Sequence, residues 1–332
     1  MSKEIGRLSG IGFGIEASTG RGTARAAQYF YPVLDRSFGP KANKVINNSS
    51  RGRIEDADEA GIAEIWSEGT MEAKVLANGI GYIFKSLFGT CVSSSGGSAT
   101  AFSHLFTVAQ SSQHTSLTVG IDGPVADEQF TNAMVGNFEM TAEVGEFIKF
   151  TADFLATQGT TGTVTPVYTD DYEFTGKDVV LKFATSSTGL TTTGFAAATA
   201  VPLKTITLTI NPNIVREQTV GSTSPHDVLN KQFSVEAEFE LLYSADTYKD
   251  LHEGNTNQAM LLTISDSLAE ISTGINPSIN FLLPKVQVVE RDVSYPNDDF
   301  VSETVKVKGL YYSDDSKMIT STIVNSLATY TT

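Results

Sequence analysis

The side chains in this sequence that could do chemistry fall into a few groups, each suited to a different reaction. Glu236, Glu238 and Glu240, together with Glu139 and Glu143, supply carboxylates such as a glycosidase sets in pairs. The glycines of GIGFG at residues 10–14 have the spacing of a phosphate-cradling loop. His104, His114, His226 and His252 offer imidazoles, and Cys91 is the one thiol. Glu55, Asp56, Asp58 and Glu59 form an acidic cluster of the kind that attracts hard cations.

Each group lacks the companion its chemistry needs. GIGFG precedes no helical pattern and no Lys-Ser/Thr follows it, so it reads as a flexible N-terminal arm. The histidines never stand four residues apart, and His252-Glu253 lacks the second histidine of a zinc protease; they read as surface or interface residues. Cys91 has no basic partner nearby and reads as a small half-buried side chain. The acidic cluster reads as part of a solvated loop at 36–60. No Gly-x-Ser-x-Gly elbow is present. The glutamates alternate with apolar residues, which puts them on one polar strand face rather than across a cleft. The expectation is a protein that is not an enzyme, with no catalytic, cofactor-binding or metal-binding residue and no cofactor.

The elements that position these residues are mostly strands. Phe138, Met140, Ala142 and Val144 alternate with Glu139, Thr141 and Glu143. After a turn at Gly145, Ile148, Phe150, Ala152 and Phe154 alternate with Lys149, Thr151 and Asp153. Val235, Ala237, Phe239 and Leu241 do the same with the glutamate triplet. Shorter strands are predicted around 102–108, 115–121, 179–183, 206–210, 259–264, 279–289, 301–311 and 317–325. One stretch stands apart: WSEGTMEAKVLANGIGYIFKSLFG at 66–89 reads as a strand running into a short helix. Met71, Ala73 and Val75 set the strand period, Asn78 offers an N-cap, and Gly89 can end the helix. Ile80, Ile83, Phe84, Leu87 and Phe88 then share one apolar helical face. Gly79 and Gly81 cost such a helix about 1 kcal/mol each relative to alanine, so burial against a sheet must hold it. A second short helix is predicted at 246–253.

Composition agrees with a β-rich class. Thr, Ser and Gly abound among short β-branched and aromatic runs, which favours an all-β or β-rich α+β architecture. The formal charge of −15 over 332 residues argues against a surface that grips nucleic-acid phosphates. From Arg21 to Lys44, by contrast, every charge but Asp35 is positive. One cysteine rules out an internal disulfide framework. No run approaches the roughly 18 apolar residues of a membrane span, and MSKEIGRLSG has no apolar signal core, so a soluble protein assembled in a cytoplasm, without a membrane partner, is expected. The expected division is an N-terminal arm and loop at 1–55, then a β-domain at 56–332 with a loop-rich segment at 157–202.

In the order of these elements the chain resembles the tail tube proteins of tailed bacteriophages, of the siphophage major tail protein type. The resemblance is carried by the strand–helix–Gly unit at 66–89 and by TSLTVGIDGPVADEQFTNAMVGNFEMTAEVGEFIKFTADFLATQG at 115–159. PLKTITLTINPNIVREQTVGSTSPHDVLNKQFSVEAEFELLY at 202–243 looks like the second-half pattern of such proteins. The resemblance implies a β-sandwich or split-barrel core with a flanking α-helix. It also implies hexameric rings stacked into a tube, in which strands from six subunits close one barrel around a lumen for DNA. The partners would be further copies of the chain, the tail initiator, terminator and tape-measure proteins, and viral DNA that passes without specific binding. The location would be the virion tail, assembled in the host cytoplasm.

Within such a ring the polar phase of the long strands would face the lumen, placing Glu139, Glu143, Lys149, Asp153, Glu236, Glu238 and Glu240 there. An acidic lining would repel phosphates and keep DNA mobile, which gives the glutamate triplet a purpose. Two other readings stay open on sequence alone. One is a carbohydrate-binding β-sandwich adhesin, which should show exposed aromatic platforms. The other is the tube subunit of a contractile injection system.

Overall fold

The computed structural model describes residues 5–185 and 195–331; residues 186–194, inside the loop-rich segment expected at 157–202, lie outside the described residues. Its strands, numbered in chain order, form two antiparallel layers around a shared apolar core. The first layer runs through β4 (Gly39–Asn47), β5 (Glu59–Lys74), β10 (Lys149–Ala156), β9 (Glu128–Glu143) and β14 (Leu203–Asn211). It continues through β17 (Ser234–Leu242) and β20 (Ser302–Gly309) to β19 (Ser278–Ser294), and β3 (Val33–Arg36) lies beside the end of β5. β19 is long enough to serve both layers. Its second half pairs with β20, and its first half lies between β18 (Gln258–Ser265) and β21 (Thr320–Asn325). The second layer extends from β18 to β12 (Val179–Thr185) and β13 (Ala200–Val201), and from β21 to β7 (Phe102–Val108) and β6 (Gly89–Ser95).

A smaller sheet of β2 (Tyr29–Tyr31), β1 (Ile11–Ile15) and β8 (Leu117–Ile121) grows from the first part of β9, which also pairs with β11 (Thr160–Thr161). β15 (Val215–Glu217) and β16 (Asp227–Leu229) make a separate ribbon. The β-rich sandwich with two helices, α1 (Ile80–Phe88) and α2 (Thr247–Glu253), is the class that the alternation called for.

Met71, Ala73 and Val75 are fully buried, and β5 delivers the chain directly into α1 as its period demanded. Ile80, Ile83, Phe84, Leu87 and Phe88 are all buried. The expected single apolar face is too narrow a description, because Tyr82 and Ser86 are buried as well and only Lys85 reaches the surface. A helix apolar on nearly all sides is an internal element. Phe84 sits at its centre, with ring centroids 5.4–5.8 Å from those of Phe88, Phe106, Phe138 and Phe281, the last three lying in both layers. The glycines have a packing reason. A Cβ on Gly79 would come within 2.6 Å of the Tyr29 and Tyr31 rings, and one on Gly81 would overlap the Tyr330 ring outright.

The helix start differs from expectation. Asn78 does not cap it; its side-chain amide donates to Ser326 Oγ at 3.2 Å. The carboxylate of Asp171, from a distant loop, accepts the backbone N–H groups of Asn78 and Gly79 at 2.9 and 3.0 Å. It also accepts the Tyr29 hydroxyl at 2.8 Å. A negative charge at a helix N-terminus is favourable there, and no local signal could have named a residue ninety positions away. Gly89 does end the helix, with φ of 84° and its N–H donating to Lys85 O.

Two N-terminal expectations are corrected. The GIGFG stretch is the buried strand β1 and not a flexible arm. Its glycines are packing sites: a Cβ on Gly12 would press on Phe30, and one on Gly14 would lie 2.5 Å from Ala26 O. Just beyond, Glu16 is a buried carboxylate with four donors: Ser116 Oγ, Thr118 Oγ1 and the N–H groups of Gly22 and Asn132, at 2.6–3.0 Å. The stretch at 36–60 is likewise more than a loop, because β4 and β5 pair there as a long hairpin. The hairpin is exposed on both faces, so burial imposed no alternation on its sequence.

Candidate functional site

The polar face of the first layer gathers the chain's strongest pattern of charge. Cross-strand register sets one row as Glu72, Thr151, Glu139, Thr209, Glu236, Lys308 and Gln287 across β5, β10, β9, β14, β17, β20 and β19. The neighbouring row reads Lys74, Lys149, Thr141, Thr207, Glu238, Lys306 and Glu290. A third holds Glu143, Thr205, Glu240, Thr304 and Asp292. Their apolar alternates, Phe138, Met140, Phe150, Leu208, Ala237, Phe239, Val305 and Val307, are buried on the other face. That burial fixes the register, since a slip of one residue would drive the charges inward.

All seven residues expected to share a polar face therefore do so: Glu139, Glu143, Lys149, Asp153, Glu236, Glu238 and Glu240. Their neighbours differ from expectation. Along the strand the glutamate triplet reads as three like charges on one face. Across the sheet β20 sets lysines beside it: Glu236 Oε2 lies 3.1 Å from Lys306 Nζ, and its Oε1 lies 3.5 Å from Lys308 Nζ. Glu240 meets Lys204 at 3.4 Å. The hydrogen bond from Lys306 holds the Glu236 carboxyl below its usual range and raises the Lys306 ammonium. On the other flank of β17 the threonines of β14 space it from β9. Lys149 is opposite Thr141 and Lys74, and Lys74 is bound to Glu173 at 3.0 Å.

Carboxylates still outnumber lysines across the face, and Glu139 and Glu143 have no ion-pair partner among the described residues. Asp153, near a β-bulge, lines an open groove of about 580 Å³ with Glu68, Asn137 and Asn211. Partial burial raises its carboxyl, with Glu139 adding to the shift.

Over residues 6–307 the chain matches the family model described as phage tail tube protein. The chain belongs to the phage tail tube protein family. It is a structural component of the phage tail. Among solved structures, one similar to it is the SPP1 tail tube, determined by solid-state NMR and cryo-EM. The two are 10% identical with a TM-score of 0.31, over 47% of this chain and 81% of that one. No curated protein matches the chain.

The other reactive side chains of this tail tube protein have structural partners. His104 and His114 are buried within the subunit, contrary to the surface or interface placement expected of them. His104 bonds Ser93 Oγ and Asn325 Oδ1 at 2.8 and 3.0 Å, and His114 lies between the carbonyls of Leu87 and Ala109. Burial lowers both imidazoles and raises the Cys91 thiol. Arg21, from the basic 21–44 segment, turns inward to a largely buried ion pair with Asp227 at 2.7 Å. Among the described residues, no group of three His, Cys, Asp or Glu side chains is placed to hold a metal ion.

Sequence reasoning missed Lys306, Lys308 and Lys204 as members of the polar face. The alternation of β20 was legible, but its pairing with β17 spans about sixty residues and two intervening strands. Nothing local encodes that neighbour.

Proposed function

We propose that the chain assembles as stacked hexameric rings and that the polar face of the first layer lines the lumen through which viral DNA is ejected. The observation that carries this is the continuous polar face across β5 to β19, with its register fixed by a buried opposite face. DNA carries about one charge per 1.7 Å of duplex, so free cations on a duct wall would bind it and slow transit. Here Lys306, Lys308 and Lys204 are held by Glu236 and Glu240 and Lys74 by Glu173, Lys149 is the face's one lysine without an ion pair among the described residues, and threonine hydroxyls and unpaired glutamates fill most of the rest. Such a wall offers phosphates little to hold. Tail initiator, terminator and tape-measure proteins would be its partners at assembly, in the host cytoplasm.

Glu139→Lys with Glu143→Lys tests the reading. The residues directly opposite these two positions are threonines, whereas lysine at 236 would face Lys306 and Lys308 and harm the fold. The doubly substituted chain should form tubes of normal length that retain DNA at low salt and release it as salt rises. Phage built from it should attach and then stall at genome delivery. Normal DNA delivery, or variant tubes that bind no DNA, would overturn the lumen assignment.

A further inference from the structure

The first layer is built twice on one plan. In its first half the edge formed by β3 and β4 pairs with β5, β5 with β10, and β10 with β9. In its second half β14 pairs with β17, β17 with β20, and β20 with β19. Chain order repeats as well. Each half runs from edge strand to second strand, passes into a helix (α1 or α2), and returns through a long strand and its hairpin partner. The long strands β9 and β19 both extend their first halves into another sheet, beside β8 and β18.

The irregularities coincide too. On the edge strands Leu34 and Lys204 are the unopposed residues of β-bulges, facing Ala73 and Glu72 in one half and Leu241 and Glu240 in the other. On the long strands the unopposed residues are Gly136 and Val289. Aligning the halves on these bulges puts Thr151 on Thr304 and Glu72 on Glu240, and β5 and β17 then end together at Lys74 and Leu242. A bulge interrupts the ladder at one specific place, and unrelated strands have no reason to share it. Two shared bulges within one shared strand order mark a repeated four-stranded motif.

Inside the chain the two motifs join edge to edge. β9 closes the first and pairs antiparallel with β14, which opens the second, with Glu139 opposite Thr209 and Thr141 opposite Thr207. Every pairing in the series is antiparallel, so both motifs point the same way and a third can follow the second. The same two kinds of edge stand open at the ends of the series. Among the described residues, β19 has only β20 beside it from Gln287 to Ser294, and β3 and β4 have only β5. Such unpaired edges are templates for another chain, and Pro40 removes one donor only. Their exposed charges are opposite: Glu290 and Asp292 on β19, Lys41 and Lys44 on β4.

We propose that β19 of one subunit pairs with the β3–β4 edge of the next in the register of the β9–β14 junction, so that the motif repeats unbroken around the ring and three chains supply its six positions. Carried across on the bulges, that register sets Ser294 opposite Ser37, Asp292 opposite Gly39 and Glu290 opposite Lys41 of the next subunit. Three chains close about 24 strands into a barrel roughly 50 Å across at the backbone, for 4.8 Å spacing and 40° tilt. Six chains pairing all their strands would double that width and open a bore several duplexes wide. The proposal rests on the tube reading above and sets how many chains fill a ring: six motifs, three chains.

The test is disulfide trapping in the full chain with Cys91→Ser. Thr141 and Thr207, whose hydroxyls lie 3.5 Å apart, calibrate it: Thr141→Cys with Thr207→Cys should link within one chain. Ser37→Cys with Ser294→Cys should link between chains in oxidised tubes, and the ladder on a non-reducing denaturing gel should stop at three chains. Gly39→Cys with Asp292→Cys is a second pair, since a side chain at Gly39 meets nothing within 4 Å. A Cys91→Ser chain without added cysteines that forms no tubes overturns the tube reading and this junction with it. Tubes in which neither pair links chains overturn the junction alone. A ladder that climbs to six chains overturns the three-chain ring.

Discussion

Replacing Gly81 with alanine sets two effects of known sign against each other. Gly81 lies in the second position of α1, and alanine there should stabilise the helix by about 1 kcal/mol through backbone entropy. The added Cβ, however, would occupy the space of the Tyr330 ring. Tyr330 is almost wholly buried, its hydroxyl donates to Asn78 O at 2.7 Å, and its ring meets Tyr82 and His104 edge-on. Expelling a ring of this size costs about 3–5 kcal/mol, so Gly81→Ala should destabilise by a net 2–4 kcal/mol. Urea denaturation of a two-by-two cycle with Tyr330→Ala isolates the clash. With Tyr330 already truncated, the same glycine substitution should change sign and stabilise by about 1 kcal/mol. A Gly81→Ala chain more stable than wild type would refute the claim that the C-terminal segment is packed on α1. Equal effects in both backgrounds would do the same.

Phe84→Ala should cost about 3–5 kcal/mol and reduce soluble yield, since its ring meets four others; thermal melts check this. Burial raises the Asp171 carboxyl, so above about pH 4 the folded state binds more protons than the unfolded one. Stability should therefore fall as pH climbs from there through the raised value, and Asp171→Asn should flatten that fall in urea titrations at stepped pH. Glu16→Ala strands four donors in the interior and should destabilise by about 3 kcal/mol or more, whereas Glu16→Gln should cost less; urea midpoints separate them.

What the sequence made legible is what two-phase burial writes into it. β10, β17 and the second half of β9 each pack one face on the core, and their alternation placed seven polar residues on one surface. Where burial is two-sided or absent, the code fails. β1 is buried at every position, and glycines rather than polar residues alternate with its Ile11, Phe13 and Ile15, so it passed for an arm. The β4–β5 ribbon is bare on both faces and passed for a loop. Helix α1 was visible from its spacing, yet the carboxylate at its start comes from Asp171 and the ring over its glycine from Tyr330. Those are long-range choices that no local window holds.

The same limit explains the polar face itself. Read along one strand, Glu236, Glu238 and Glu240 are three like charges about 7 Å apart, a poor design for stability. Read across the sheet, each has a threonine on one side and β20 on the other, with Lys308, Lys306 and Thr304 in step. Exposed pairs of this kind contribute little individually, on the order of 1 kcal/mol or less. Their consequence is one of disposition: a lysine bound to glutamate is a weaker hold for phosphate than a free one, while the glutamates left over still repel it. A lining built this way would tolerate its own charge within the sheet and remain net acidic toward whatever passes it.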